Sequence, residues 1–207
     1  MTNEKMLTLL NSFLNDNNYV TMAELKAGLE ENIRESVNKN SGKPSLAKAM
    51  NSVIKAAKKD GVRPSLMGGF MNDDWLTVFD GYRAIQTKEA IELEMIPANL
   101  DPLNVNNMIG SEAYTKMVKL PTIQELKTFI KIKKAEIKAA PSFIVKPPYM
   151  IVLETDYDEQ IAFNPDYLLD LLEAIPSEYG YYNTNIGPMY LENDTTRGLV
   201  LPVRINR

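Results

Sequence analysis

The sequence has no cysteine and no histidine among its 207 residues. Without cysteine there are no disulfides, no thiolate catalysis and no Cys-ligated zinc. Without histidine the commonest general base and metal ligand near neutral pH is missing. Acid–base chemistry falls to carboxylates, Lys or Tyr, and any metal site would be all oxygen. No run approaches the ~20 apolar residues a membrane span needs. The first residues lack a basic head and a small-residue cleavage site, so they do not read as a signal peptide. Together these absences predict a cytoplasmic, non-enzymatic protein with no cofactor, no metal and no membrane partner.

What is present is ordinary for a folded chain: 44% apolar and 24% charged residues, net charge -4. The charge is unevenly spread. Residues 101–150 carry eight Lys against four acids, a balance of +4, while residues 151–207 carry three Arg against ten acids, a balance of -7. That pattern suggests one cationic face on an acidic protein.

The periodicity predicts an N-terminal helical segment over residues 1–44 and an α+β domain over 45–207. The first helix runs from about Asn3 to Leu14. The second opens at a Thr21/Glu24 capping box and puts Leu25, Leu29, Ile33 and Val37 at helical spacing. Asn38 to Pro44 reads as a linker. This pair is expected to pack on the main domain or to mediate assembly. A third helix, capped by Ser45, runs to about Lys59, with Lys48, Lys55 and Lys59 in a stripe opposite its apolar face. Strands are expected over Ser65–Met71, Trp75–Phe79, Tyr82–Ile85 and Ala90–Ile96. Residues 97–120 carry no readable pattern.

A lysine-rich helix follows Pro121-Thr122, with Lys127, Lys131, Lys134 and Lys138 on one side. Strands are expected over Ser142–Glu154 and Gln160–Phe163. Asn164-Pro165 then opens a helix, Asn as cap and Pro at the first turn. Its buried stripe is Leu168, Leu171, Leu172 and Ile175, and Pro176 stops it. Strands over Gly180–Ile186, Met189–Glu192 and Leu199–Ile205 finish the chain. The acid clusters Asp73-Asp74 and Glu154-Asp156-Asp158-Glu159 fall where turns are expected. They are the one basis for a carboxylate–Mg enzyme, the least favoured reading.

Two segments resemble the bacterial DNA sliding clamp, the β subunit of the replicative polymerase. In the first, a helix is followed by R-P-x-L, a strand and Asp80-Gly81-Tyr82-Arg83. In the second, Ile161 to Leu172 resembles a clamp's closing helix, and Leu199 to Ile205 resembles its terminal M-P-x-R-L strand. The resemblance implies a single clamp-like domain, two helices against an antiparallel sheet, with an N-terminal helical hairpin and a helical insertion around 97–140. It implies a processivity-factor-like protein of DNA replication. Its reduced size suits a phage or mobile element.

The resemblance further implies a peptide groove formed by Asp80, Gly81, Tyr82 and Arg83 with Leu201, Pro202, Val203 and Arg204, the two guanidiniums forming its rims. In the family these segments come from adjacent domains, so a one-domain chain is expected to bring them together only across a subunit interface. The plainer reading is a turn at Asp80-Gly81 and a core strand at Leu199–Ile205. Lys48, Lys55 and Lys59 would contact the DNA backbone non-specifically. Asp166, Asp170 and Glu173 stand against this, because they would turn acids toward phosphate. The partners implied are further copies of the chain or replication proteins (polymerase, clamp or clamp loader), with double-stranded DNA. The alternative is an orphan clamp-fold regulatory domain with no DNA role.

Overall fold

The computed structural model describes residues 3–16, 19–61, 63–101, 103–106, 108–109, 114–140, 148–157 and 159–205. Helices α1 (Asn3–Asp16) and α2 (Tyr19–Asn40) form a hairpin. The Thr21/Glu24 box is not its start, since Thr21 lies inside α2. The helix also runs on through the expected linker to Asn40. Helix α3 (Pro44–Asp60) begins two residues earlier than a Ser45 cap would set it. Pro44 occupies its first turn, where the missing N–H costs nothing, and no side chain caps it.

Strands β1 (Phe70–Asn72), β2 (Trp75–Phe79) and β3 (Arg83–Thr87) form an antiparallel meander. The expected strand at Ser65 is instead a single 3-10 turn, Pro64–Leu66. Residues Ala90–Ile96 are not a strand either: one parallel bridge joins Gly69 to Met95. Their alternation has a different cause, since Ile91 and Leu93 point into the core while Glu92 and Glu94 stay outside.

Strand β4 (Lys116–Lys119) precedes helix α4 (Ile123–Ala139). A reciprocal capping box between Thr122 and Glu125 opens α4. Strands β5 (Ile151–Glu154) and β6 (Gln160–Phe163) form a separate two-stranded sheet. Part of the strand expected from Ser142 lies outside the described residues. Helix α5 (Pro165–Ala174) has the expected cap: the Asn164 side chain accepts from the N–H groups of Asp166 and Tyr167. Strands β7 (Tyr179–Tyr182), β8 (Met189–Glu192) and β9 (Thr196–Val200) complete the chain.

The main sheet has seven strands in the order β1-β2-β3-β9-β8-β7-β4. Alternation along the strands gives it two apolar faces. Val78, Ile85, Met189, Leu191 and Val200 face a helical layer and bury Met50, Val53, Leu126, Leu168 and Leu171. In that layer α3 and α5 lie side by side, and α4 packs on the far flank of α5. Gly198 sits where α5 comes closest: a Cβ there would lie 2.6 Å from Leu171 Cδ1 and 2.7 Å from the Ala84 carbonyl oxygen. The opposite face, Phe70, Phe79, Ala84, Tyr190 and Leu199, is covered by Val105 and Ile109. So the unreadable stretch after residue 97 includes a strap on the second sheet face. A segment that packs without helix or strand geometry leaves no period to read.

Candidate functional site

The Asp80-Gly81-Tyr82-Arg83 segment is the turn between β2 and β3, and its residue types follow from its geometry. Gly81 has φ +91°, a region that L side chains rarely adopt. Asp80 Oδ1 accepts from the backbone N–H of Tyr82 at 2.9 Å and of Arg83 at 3.0 Å. Its Oδ2 accepts from Arg83 Nε at 3.0 Å. The Arg83 guanidinium continues inward. It donates to Asp170 of α5 and stands 4.3 Å from the Tyr167 ring centroid. Asp170 also accepts from Ser52 of α3 at 2.6 Å. Burial pushes the Asp170 carboxyl above its ordinary range, and Arg83 and Ser52 oppose that shift.

This overturns one expectation. Arg83 is only 2% exposed and Asp80 6%. They form a clasp joining the turn to α3 and α5, and the Arg83 guanidinium, turned inward, does not rim a groove. The expected separation of the two motif segments is also corrected. Strand β3 pairs directly with β9, Arg83 opposite Val200, and the Leu201 N–H donates to the Tyr82 carbonyl at 2.7 Å. The segments therefore meet within one chain. Beyond that point the carboxyl end turns away, and the Val203 N–H donates to Ala162 of β6 at 2.7 Å. Leu201 packs on the strap-side core, while Val203 and Arg204 are exposed.

Beside the turn lies a cavity of about 380 Å³. Ala57, Leu66 and Phe79 give it an apolar lining, Tyr82 a wall, and Asp60 and Arg63 charged edges. Tyr82 is 51% exposed and stacks on Tyr167 at 5.9 Å. Of the expected groove residues, Asp80, Gly81 and Tyr82 line this cavity, whereas Leu201, Pro202, Val203 and Arg204 are not among its lining. Arg63 and Leu66 were missed as site residues. They belong to the R-P-x-L segment, which in the sequence counts only toward the resemblance.

The helical layer presents the second candidate surface. Its three acids on α5 are all engaged. Asp166 accepts from Lys134 at 2.9 Å and from the Tyr149 hydroxyl at 2.8 Å. Asp170 is held by Arg83 and Ser52. Glu173 is bridged by Lys48 of α3 at 2.9 Å and Lys127 of α4 at 2.8 Å. Burial raises the Glu173 carboxyl, but these two ammonium groups outweigh it and hold the acid below its usual range. The acids of the closing helix are thus paired with groups on neighbouring elements. Lys48 is drawn into an ion pair, and Lys55, Lys59, Lys131 and Lys138 are exposed with no ion-pair partner among the described residues. The lysine stripe of α4 was visible in the sequence, but its role as counterion to α5 was not.

Asp73 occupies the turn between β1 and β2 with φ 51°. Asp158 lies outside the described residues. No group of three or more acids among the described residues could hold a metal ion. No helix among them is long and apolar enough to cross a membrane.

Two helices side by side on one continuous antiparallel sheet, locked by a D-G-x-R clasp, define a DNA-clamp-type α+β domain. Solved structures agree. The Helicobacter pylori beta clamp in complex with 3,4-difluorobenzamide matches at a TM-score of 0.53 and 12% identity, over 78% of this chain and 64% of the clamp. The same organism's clamp bound to a DNA ligase peptide matches at 0.50 and 14%, over 77% and 63%. The chain thus spans under two thirds of the clamps it matches. At these identities the likeness establishes the fold. No family model matches the sequence, and no curated protein matches it.

Proposed function

We propose that this chain is a non-catalytic, sliding-clamp-like protein of DNA replication. Its three-helix layer rests on the phosphate backbone of double-stranded DNA, and its cavity beside Tyr82 takes a short apolar peptide from a replication protein. The observation that carries the reading is the ion pairing across the layer. Helices α3, α4 and α5 together carry nine Lys against six acids, and two of the three acids of α5, Asp170 and Glu173, are largely buried against their partners. One of the matched clamps is bound to a DNA ligase peptide, which supports a peptide as the occupant of an apolar cavity of this size.

The test is fluorescence anisotropy with duplex DNA across a salt series. Each phosphate contact contributes about 0.9 to the slope of log affinity against log salt. Replacing Lys55, Lys59, Lys131 and Lys138 by Glu lowers that slope. Absence of salt-dependent binding by the wild-type chain at low salt refutes the DNA role. A second reading, an orphan clamp-fold regulatory domain, is favoured by the net charge of -4 and by the lysines spent on α5. It predicts peptide binding that Tyr82→Ala weakens, with no affinity for DNA.

A further inference from the structure

The α1–α2 hairpin is not explained by a clamp domain, and its surface is unusual. Helix α2 has 22 residues, about 33 Å of helix. Its seam with α1 carries Leu25, which is 9% exposed, and Asn32, whose Nδ2 lies 3.5 Å from Met6 Sδ. The carboxyl end of α2 is pinned to the body by Asn38. That side chain donates to the Glu92 carbonyl at 2.8 Å and accepts from the Glu92 N–H at 2.9 Å. The stripe that continues from Leu25 drifts away from the α1 seam by about 40° per i,i+4 step and carries Leu29, Ile33 and Val37, with Met22 beside it. These four are 47%, 62%, 43% and 43% exposed, in that order. Four large apolar side chains along one side of one helix are more than scattered surface residues.

We propose that this face binds the same face of a second copy, α2 against α2 and antiparallel about a two-fold axis at Ile33. Three features of the sequence choose a copy as occupant. Three of the four are symmetric about the most exposed one: Leu29 and Val37 lie four positions either side of Ile33, with Met22 beyond them toward the amino end. An antiparallel copy therefore sets Leu29 opposite Val37 of the second copy, twice, with the two Ile33 side chains on the axis. Glu30 and Arg34 flank the stripe on one edge. The two-fold axis brings Glu30 of each chain beside Arg34 of the other, giving two equivalent charge pairs. Residues 1–44 carry six acids and five bases, so two arms meet without net repulsion. Such an interface is isologous and closes at two chains, leaving the helical layer and the cavity free. It is independent of the clamp reading and goes beyond it.

The test is sedimentation velocity on the full chain. A dimer is expected. Ile33→Asp puts two carboxylates on the axis and weakens association about 100-fold or more. Because Ile33 is largely exposed within one chain, the variant keeps its circular dichroism, and its unfolding midpoint loses the dependence on protein concentration that dimerisation gives the wild type. Glu30→Arg weakens association a few-fold, and the double variant Glu30→Arg, Arg34→Glu recovers it. The chain has no cysteine, so oxidation of Ile33→Cys yields a single covalent dimer faster than Lys55→Cys does. A monomeric wild type, a dimer indifferent to Ile33→Asp, a double variant no tighter than its single parent, or equal cross-linking at positions 33 and 55 each overturn the proposal.

Discussion

Replacing Arg83 by Met keeps most of the side-chain volume and removes the charge. It strands two carboxylates, on Asp80 and Asp170, whose side chains are 1% and 14% exposed. Breaking a buried pair by deleting one partner costs about 3–5 kcal/mol, because the remaining charge stays desolvated. Set against a total stability of about 5–15 kcal/mol, that is a large fraction. With a urea slope of about 2 kcal/mol/M, the unfolding midpoint drops by about 1.5–2.5 M. The single tryptophan, Trp75 on β2, reports the transition by fluorescence.

The deficit also depends on pH. Burial already raises the folded-state pKa of Asp170 while Arg83 opposes it. Without Arg83 the folded value stays above the unfolded one. The cost is then present above the folded value and vanishes below the unfolded one, so the deficit is largest at neutral pH and narrows on acidification. A midpoint within about 0.25 M of wild type, the range of an ordinary surface substitution, would refute the clasp and return Arg83 to a groove rim.

Gly198→Ala forces a methyl between Leu171 and the Ala84 carbonyl. The leucine tip can shift but the backbone oxygen cannot, so a loss of about 1–3 kcal/mol in urea is expected, and a neutral result would show that α5 can lift off the sheet. Glu173→Gln flattens the acid limb of stability. The folded carboxyl is depressed below its ordinary value, so its contribution is complete above the ordinary carboxylate range and lost as pH falls through the folded value. Unfolding midpoints measured from neutral to acid pH check this, and parallel curves for the two proteins would discount the Lys48–Glu173–Lys127 bridge. Asn38→Ala leaves the Glu92 N–H and carbonyl without their side-chain partners, at a cost of about 1–3 kcal/mol confined to the base of the hairpin. Hydrogen exchange at the Glu92 amide should accelerate while β3 and β9 stay protected; unchanged exchange there would sink the idea of Asn38 as a pin.

Much of this fold was legible in the chain because its signals are local. Asn164-Pro165 starts α5 where a cap and a first-turn proline should, and Leu168, Leu171, Leu172 and Ile175 are its buried stripe, all 2% exposed or less. The meander from Trp75 to Thr87, the lysine-rich α4 and the D-G-x-R turn were equally readable, since a period or a positive φ is encoded by neighbours in sequence. Local signals also misled where two structures share one pattern. Alternation over Ala90–Ile96 marks an extended segment with one bridge, and Ser45 yields to Pro44 as the start of α3.

The sequence by itself determined which residues are apolar, which turn needs glycine, and that catalysis by cysteine or histidine is impossible. It could not determine where charges end up, because ion pairs join residues far apart in the chain. Arg83 reads as a surface guanidinium until α5 supplies Asp170, 87 positions away. The acids of α5 read as free surface charges until α3 and α4 bring Lys48 and Lys127 onto Glu173. Coulomb energy depends on distance and burial, and both quantities exist only once the helices have packed.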